Sequence, residues 1–149
     1  MGKNLTMILA VFFFIVDRIL KEIALKGGIL KSQFFNFSLF KNTGLLWGLK
    51  MSDYLYFPLI ILVFLLLLYF LRVFANDSQR FFYLNLILFS GLSNFLDRIF
   101  YGFVVDYFQL AGTVFNLADF LIFLSVFGLT WLIFKGKITK NKKINRSFS

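Results

Sequence analysis

Four long apolar runs dominate the pattern of hydrophobic and polar positions along the chain. They cover residues 5–19 with an extension toward 25, residues 54–75, residues 81–99 and residues 114–134. About 20 apolar residues in a helix cross the hydrocarbon core of a bilayer, at about 1.5 Å per residue. The pattern therefore predicts an all-α membrane protein with four transmembrane helices. Pro58 falls near the start of the second run, where the first turn of a helix tolerates proline.

The segment between the first two runs, residues 26–53, has a different pattern. Phe35, Phe37 and Leu39 alternate with their neighbours in the period of two that is typical of a strand. Gly27 and Gly28 interrupt the chain before this stretch. We therefore expect this segment to be a folded element rather than a bare loop.

Lysine and arginine predict the orientation of the chain. Residues 136–149 form a basic tail, so the C-terminus is expected in the cytoplasm. Four spans then place the N-terminus on the same side and residues 26–53 outside the cell. This segment nevertheless carries Lys26, Lys31, Lys41 and Lys50, so the orientation depends mainly on the tail. Residues 1–135 are predicted to form one transmembrane domain.

Composition narrows the chemistry. The chain contains 60% hydrophobic residues and neither Cys nor His. This excludes disulfides, thiolate nucleophiles, an imidazole base and a histidine-ligated zinc ion, while a carboxylate site for Mg²⁺ or Ca²⁺ stays open. A net charge of +9 could indicate nucleic-acid binding, but the sequence predicts no soluble domain that would present this charge to nucleic acid. Anionic phospholipid headgroups are its expected partner.

Four acidic residues converge on one level of the predicted bundle. Asp97 lies about 24 Å up the third helix and Asp17 about 18 Å up the first. Asp119 lies about 22 Å from the inner end of the fourth helix, and Asp106 falls in the short connection before it. Ionisable side chains at membrane depth are costly, so each is a candidate for function.

Two interpretations of these carboxylates stay open at this point. Two carboxylates in a partly dry site share a proton, and such a pair activates water against a peptide bond as in aspartic proteases. Alternatively, buried aspartates pair with Arg or Lys and hold helices together. The second interpretation is favoured for Asp17 and Asp97. Asp17 lies four residues before Lys21 and can pair with it along the first helix, whereas Asp97 is adjacent to Arg98, does not face it on a helix, and is expected to reach a loop or another helix. Spacing alone does not decide between them for Asp106 and Asp119.

Five short motifs, in order along the chain, resemble the lipoprotein signal peptidase (signal peptidase II) family of bacterial intramembrane aspartyl proteases. They are Asp17-Arg18-Ile19-Leu20-Lys21, Asn42-Thr43-Gly44 with Gly48, Asn94-Phe95-Leu96-Asp97-Arg98, Val104-Val105-Asp106 and Phe115-Asn116-Leu117-Ala118-Asp119. Each motif is weak alone, but their shared order makes the match specific.

The resemblance implies four transmembrane helices with a small extracytoplasmic β-sheet, or cradle, between helices 1 and 2. It implies a monomeric protein of the bacterial cytoplasmic membrane that needs no metal or other cofactor. Its substrates would be prolipoproteins with a diacylglyceryl-modified Cys, cleaved just before that Cys. The catalytic pair would be Asp106 and Asp119. The positions that match supporting or substrate-binding residues are Asp17, Lys21, Asn42, Gly44, Asn94, Asp97, Arg98, Asn116 and Ala118.

The chain departs from the family pattern in three places. Ser93 stands where Gly usually precedes the asparagine, and Leu46-Trp47 replaces smaller residues followed by Phe. Only 12 residues separate Asp106 from Asp119, which predicts a trimmed rim of the substrate groove.

A small transporter or a proton or cation relay is the main alternative function. Such a relay would use Asp17, Asp106 and Asp119 along the membrane normal. The single level predicted for these carboxylates argues against this alternative. A non-catalytic membrane scaffold would not explain why two carboxylates, which are costly to place at membrane depth, lie at the outer edge of the bundle.

Overall fold

The computed structural model describes residues 2–32, 35–44 and 53–147, with the backbone alone at 53, 54 and from 137 onward. The elements in chain order are α1 (Lys3–Leu25), β1 (Leu30–Lys31), β2 (Phe35–Asn42), α2 (Asp53–Val73), α3 (Ser78–Tyr101), β3 (Val104–Leu110), β4 (Thr113–Phe115) and α4 (Leu117–Ser147). The described chain is thus mostly helical, with a small sheet at one end of the helices.

The sheet is antiparallel, in the order β1-β2-β3-β4. The strand predicted from Phe35 onward is present as β2, but the expectation that the sheet lies wholly between helices 1 and 2 is wrong. Its other half, β3 and β4, comes from the connection between α3 and α4. The sheet forms because both connections leave the helices at the same end and pair there.

The exit from α1 is fixed by glycine. Gly27 has φ +84°, a left-handed conformation that costs glycine little. Its N–H donates to the carbonyl of Ala24 at 3.1 Å, and the Gly28 N–H donates to the carbonyl of Ile23 at 2.9 Å. This pair of bonds is a Schellman motif, which ends the helix and turns the chain toward β1.

The residues at both ends of α3 explain where the helix begins and ends. The Asp77 side chain accepts hydrogen bonds from the backbone N–H groups of Gln79 and Arg80, as an N-cap does. Gly102 ends the helix in the left-handed region at φ +76°. The strand β3 begins two residues later, so the end of α3 leads directly into the sheet.

The helix α3 is central and packs against α1, α2 and α4. Phe95 meets the rings of Phe57 and Phe64 of α2, with centroids 6.2 and 5.7 Å apart. Against α4, Gly128 admits the ring of Tyr83, because a Cβ on this glycine would lie 2.5 Å from the ring. Close approach of helices at small residues is typical of packing in lipid.

Burial in α1 is inverted relative to a soluble helix. The buried positions are Thr6, Ala10, Asp17, Lys21 and Ala24. Large apolar side chains on the other face are exposed, namely Leu5, Ile8, Phe12, Ile15 and Ile19. A helix that hides its charges and exposes its apolar side chains is suited to a surrounding of lipid.

Two of the described helices are long and apolar enough to cross a membrane. They are Leu55–Val73 in α2 and Leu117–Gly136 in α4, with only 6% and 17% of their residues buried. This exposure distinguishes them from the core helix of a soluble protein. The predicted start of the fourth span at 114 is wrong, because residues 113–115 form β4 and the helix begins at Leu117.

Candidate active site

The first turn of α4 holds Asp119 through a reciprocal pair of bonds. The Asn116 side-chain oxygen accepts from the Asp119 N–H at 2.8 Å, and Asp119 Oδ2 accepts from the Asn116 N–H at 3.4 Å. This is the arrangement of a capping box, in which residues three apart satisfy each other's backbone groups. The sequence spacing of Asn116 and Asp119 therefore fixes the carboxylate at the start of the helix.

Asp106 lies in the middle of the sheet and is almost fully buried, with 1% exposure. It pairs with Phe40 across β2 and β3, and Asn42 lies opposite Val104 two residues away, so the Asn42 and Asp106 side chains share one face. The Asn42 Nδ2 donates to Oδ2 of Asp106 at 3.0 Å. One extra residue of β2 between Phe37 and Phe40 makes a bulge beside this pair.

The surroundings of Asp106 favour its protonated form. Burial and, next in size, the nearby charge of Asp119 together raise the pKa of its carboxyl to about 6, while hydrogen bonds from Asn42 and Asn116 oppose the shift. Asp106 and Asp119 therefore interact electrostatically, and the proton on Asp106 is removed as the pH rises through about 6.

Asn116 joins the two carboxylates. Its Nδ2 donates to Oδ1 of Asp106 at 2.7 Å, while its side-chain oxygen holds the backbone of Asp119. The Asn94 Nδ2 donates to Oδ1 of Asp119 at 2.8 Å. Asp119 is only partly buried, unlike Asp106. The two carboxylates therefore differ in the exposure of their residues, with Asp106 buried and Asp119 partly exposed.

Lys21 sets the orientation of the Asn94 amide. This fully buried lysine has its Nζ 2.7 Å from the side-chain oxygen of Asn94, which also accepts from Asn116 at 3.1 Å. With its oxygen occupied by two donors, the Asn94 amide can only present its N–H group to Asp119.

A buried cluster of four charges supports this arrangement. Lys21 Nζ lies 2.7 Å from Asp97 Oδ2 and 3.1 Å from Asp17 Oδ2, and Arg18 pairs with the other oxygen of Asp97. The Val105 N–H also donates to Asp97, at 3.1 Å. Two cations balance two anions, so the cluster carries no net charge into the interior. The predicted pairing of Asp17 with Lys21 and of Asp97 with another helix is confirmed.

Arg98 and Gly44 stabilise the edge of the site. The Arg98 guanidinium donates to the Gly44 carbonyl at 2.7 Å and lies over the Tyr56 ring, 5.1 Å from its centroid. The Gly44 N–H donates to the side-chain oxygen of Asn42 at 3.1 Å. The Asn42 amide is therefore oriented with its N–H group toward Asp106. Gly48 and Leu46-Trp47 lie outside the described residues.

Within the part of the chain that the structure describes, all eleven candidate catalytic and supporting residues predicted from the sequence lie together. Ala118 contributes its backbone N–H, which donates to Asp17 Oδ1 at 3.2 Å. Two further members of the network were missed. Ser93, predicted only as a departure, donates to Asp17 at 2.6 Å, and the hydroxyl of Tyr107 lies 2.8 Å from the same carboxylate. In the sequence, Ser93 directly precedes Asn94 and Tyr107 directly follows Asp106, and this adjacency could have identified both as members of the site.

The short stretch between Asp106 and Asp119 is a tight hairpin. The strands β3 and β4 are joined by Ala111 and Gly112, both with positive φ, as in a type I′ turn. The two-residue turn therefore explains how only 12 residues can connect Asp106 on β3 to Asp119 on α4.

Comparison with known proteins identifies the class. The family profile of "Signal peptidase (SPase) II" matches residues 9–135. Lipoprotein signal peptidase of Thermodesulfovibrio yellowstonii is 31% identical, over 75% of this chain and 82% of its own. Lipoprotein signal peptidase of Staphylococcus aureus (strain bovine RF122 / ET3-1) is also 31% identical, over 93% and 91%. A solved bacterial membrane enzyme superposes with a TM-score of 0.81 at 25% identity, over 92% of both chains.

Fold and site together define a membrane-embedded peptidase with apolar helices exposed around a buried polar centre. The chain belongs to the signal peptidase II family, and its function is the processing of lipoproteins.

Proposed function

We propose that Asp106 and Asp119 are the catalytic pair of an intramembrane aspartic endopeptidase. Its substrates would be diacylglyceryl-modified prolipoproteins, cleaved just before the lipidated Cys. The observation that carries this proposal is the Asn116 amide, which contacts one carboxylate by its nitrogen and the backbone of the other by its oxygen. A buried carboxylate beside a partly exposed one provides two different environments, which supports the separate acid and base roles of general acid–base catalysis.

The two carboxylates take different roles in this mechanism. Asp106 carries the proton, because burial raises its pKa to about 6. Asp119 is ionised and takes a proton from water as the water oxygen attacks the peptide carbonyl carbon. Asp106 gives its proton to the carbonyl oxygen. When the tetrahedral intermediate collapses, the C–N bond breaks, the leaving nitrogen receives the proton held by Asp119, and one hydroxyl of the intermediate returns a proton to Asp106 as the new carboxyl group forms.

The donors around the pair support a mechanism without metal. Asn42, Asn94 and Asn116 all present amide N–H groups to the carboxylate oxygens. N–H groups bind anions and repel cations, so this set suits two carboxylates that share one proton. Activity in detergent with a lipidated substrate is expected to persist when a chelator is added.

We further propose that all four helices cross the bacterial cytoplasmic membrane, with the site near the extracytoplasmic face. The helices α1 and α3, of 23 and 24 residues, are long enough to span. They bury Asp17, Lys21 and Asp97 against each other, and both expose large apolar side chains. Both lead into the sheet, so the site lies at that end and meets a substrate anchored by its lipid.

The direct test replaces each carboxylate by the matching amide. Asp106→Asn and Asp119→Asn are each expected to lower cleavage of a lipidated prolipoprotein by about 10²–10⁴-fold, because neither amide transfers a proton. Asp77→Asn is the matched control, since Asn keeps the N-cap of α3 at the far end of that helix. Near wild-type cleavage by either active-site variant would contradict the assignment.

A further inference from the structure

Tyr107 is fully buried, yet its hydroxyl makes two hydrogen bonds that tie three elements together. The side chain starts on β3, next to Asp106 in sequence. Its hydroxyl donates to Oδ1 of Asp17 on α1 at 2.8 Å. The same hydroxyl accepts from the backbone N–H of Leu117, the first residue of α4, at 3.0 Å.

The backbone N–H groups of the first turn of α4 all have partners, and Tyr107 supplies the first. A helix leaves four such groups without partners inside the helix. Here Leu117 donates to Tyr107, Ala118 to Asp17 and Asp119 to the Asn116 side chain, while Phe120 donates to the Asn116 carbonyl. Two of these four bonds reach outside α4, to β3 and α1. These two bonds hold the start of α4, and therefore Asp119, relative to the rest of the site.

Successive residues on a strand point to opposite faces. Asp106 thus faces the site while Tyr107 points back toward α1 and α4. The dipeptide Asp106-Tyr107 therefore carries the first carboxylate and, through the Tyr107 hydroxyl, holds α4, which carries the second carboxylate, Asp119.

We propose that Tyr107 is a positioning residue, whose hydroxyl sets the separation of Asp106 and Asp119 by anchoring the first turn of α4 to β3. This inference rests on the proposed catalytic role of the two carboxylates. Tyr107 itself touches neither the substrate nor the reacting atoms.

The ring and the hydroxyl of Tyr107 have separable roles. The ring packs against Phe37 and Phe108, with centroids 5.4 and 4.7 Å apart. Burial raises the pKa of Tyr107 above its ordinary value near 10, so the hydroxyl keeps its proton and stays a donor to Asp17. Tyr107→Phe therefore keeps the packing and removes both hydrogen bonds.

The kinetic test is a split between kcat and KM. A displacement of catalytic groups by about 1 Å costs about 10²-fold in rate, so Tyr107→Phe is expected to lower kcat by about 10- to 100-fold. KM for the lipidated prolipoprotein is expected to stay within about twofold, because no substrate contact is removed. The control is Tyr101→Phe, which removes a hydroxyl from a side chain that is 38% exposed and is expected to leave both constants unchanged.

A second variant removes the same bond from the other side. Leu117→Pro deletes the N–H that Tyr107 accepts, at the first helical position, where proline is tolerated. It is expected to lower kcat as well, and Tyr107→Phe added to it is expected to cost less than in the wild type, since the shared bond is already gone.

The outcomes separate this inference from the proposed function. Wild-type kcat in Tyr107→Phe, or fully additive losses in the double variant, would overturn the positioning role. Failure of the wild-type protein to cleave the lipidated substrate would overturn the proposed function instead. Should Tyr107→Phe not fold in detergent, the kcat of Leu117→Pro decides, and a wild-type value overturns the inference.

Discussion

At the scale of single residues, the two central carboxylates are distinguished by what surrounds them. Asp106 is buried in the sheet with two side-chain amide donors, and Asp119 is partly buried at the start of a helix with one. Burial raises the pKa of Asp106, and each amide donor partly opposes that shift. The amides around the pair are therefore expected to tune the pH dependence of cleavage.

Asn42 offers the clearest test of this tuning. The protonated form of Asp106 is the active one in the proposed mechanism, so kcat/KM is expected to fall as pH rises through about 6. The hydrogen bond from Asn42 lowers this pKa, and Asn42→Ala removes it. The pKa then rises, the proton is kept to higher pH, and the alkaline limb of the profile moves to higher pH.

The control for this measurement lies on the same strand. Asn36 donates to Gln109 at 3.1 Å and does not contact Asp106. Asn36→Ala is expected to leave the alkaline limb where it is in the wild type. A limb that stays in place or moves to lower pH in Asn42→Ala would argue against Asp106 as the proton carrier.

At the scale of elements, the helices were predictable and half of the sheet was not. The apolar runs identify helices because apolar length is a local property of the sequence. The strands β3 and β4 gave no such signal, since the first four residues of β3 are buried without alternation. The strand β3 forms by pairing with β2, which lies more than sixty residues earlier, and β4 forms by pairing with β3. The apolar residues of β4 were therefore assigned to the fourth span.

The hairpin between β3 and β4 contains one unfavourable residue. Ala111 has φ +49°, a left-handed conformation that costs a residue with a Cβ about 1–2 kcal/mol. Asn tolerates this region better and is favoured before Gly in type I′ turns. Ala111→Asn is expected to raise the free energy of unfolding by about 1 kcal/mol, with cleavage activity unchanged.

Thermal unfolding in one detergent measures this effect. Gly112, at φ +82°, provides the opposite control, because Gly112→Ala places a Cβ in the same unfavourable region. The two variants are expected to shift Tm in opposite directions. A lower Tm for Ala111→Asn would rule out strain at this position as the reason.

At the scale of the whole molecule, the convergence of charges was predictable and the contacts were not. The rise per residue of a helix was enough to bring Asp17, Asp97 and Asp119 to one end. The partners of each residue depend on how helices rotate about their axes, which spacing does not specify. Ser93 on α3 joins the network for this reason, whereas Tyr107 joins it through β3, a strand that the sequence pattern did not predict.

The same architecture predicts which ends of the helices face the cytoplasm. The Lys3 side chain donates to Asn76 in the α2–α3 turn at 3.3 Å, so the N-terminus and this turn share the end opposite the sheet. Arg72 lies in the last turn of α2, Arg80 lies in the first turn of α3, and the basic C-terminal part of α4 reaches the same end. The distribution of Lys and Arg predicts that this end faces the cytoplasm. The sheet, with Ile29 exposed before β1, is then outside.

Single cysteines test this orientation cleanly, because the natural chain contains none and gives no background labelling. In spheroplasts, a membrane-impermeant maleimide is expected to label Ile29→Cys, and to label Asn76→Cys only after the membrane is permeabilised. Retained cleavage activity establishes that each variant is folded. Labelling of Asn76→Cys in sealed spheroplasts would place the α2–α3 turn outside and reverse the proposed topology. Because the lipid anchor of the substrate is expected in the outer leaflet, that result would also separate the site from its substrate. The topology and the proposed function therefore depend on the same measurement.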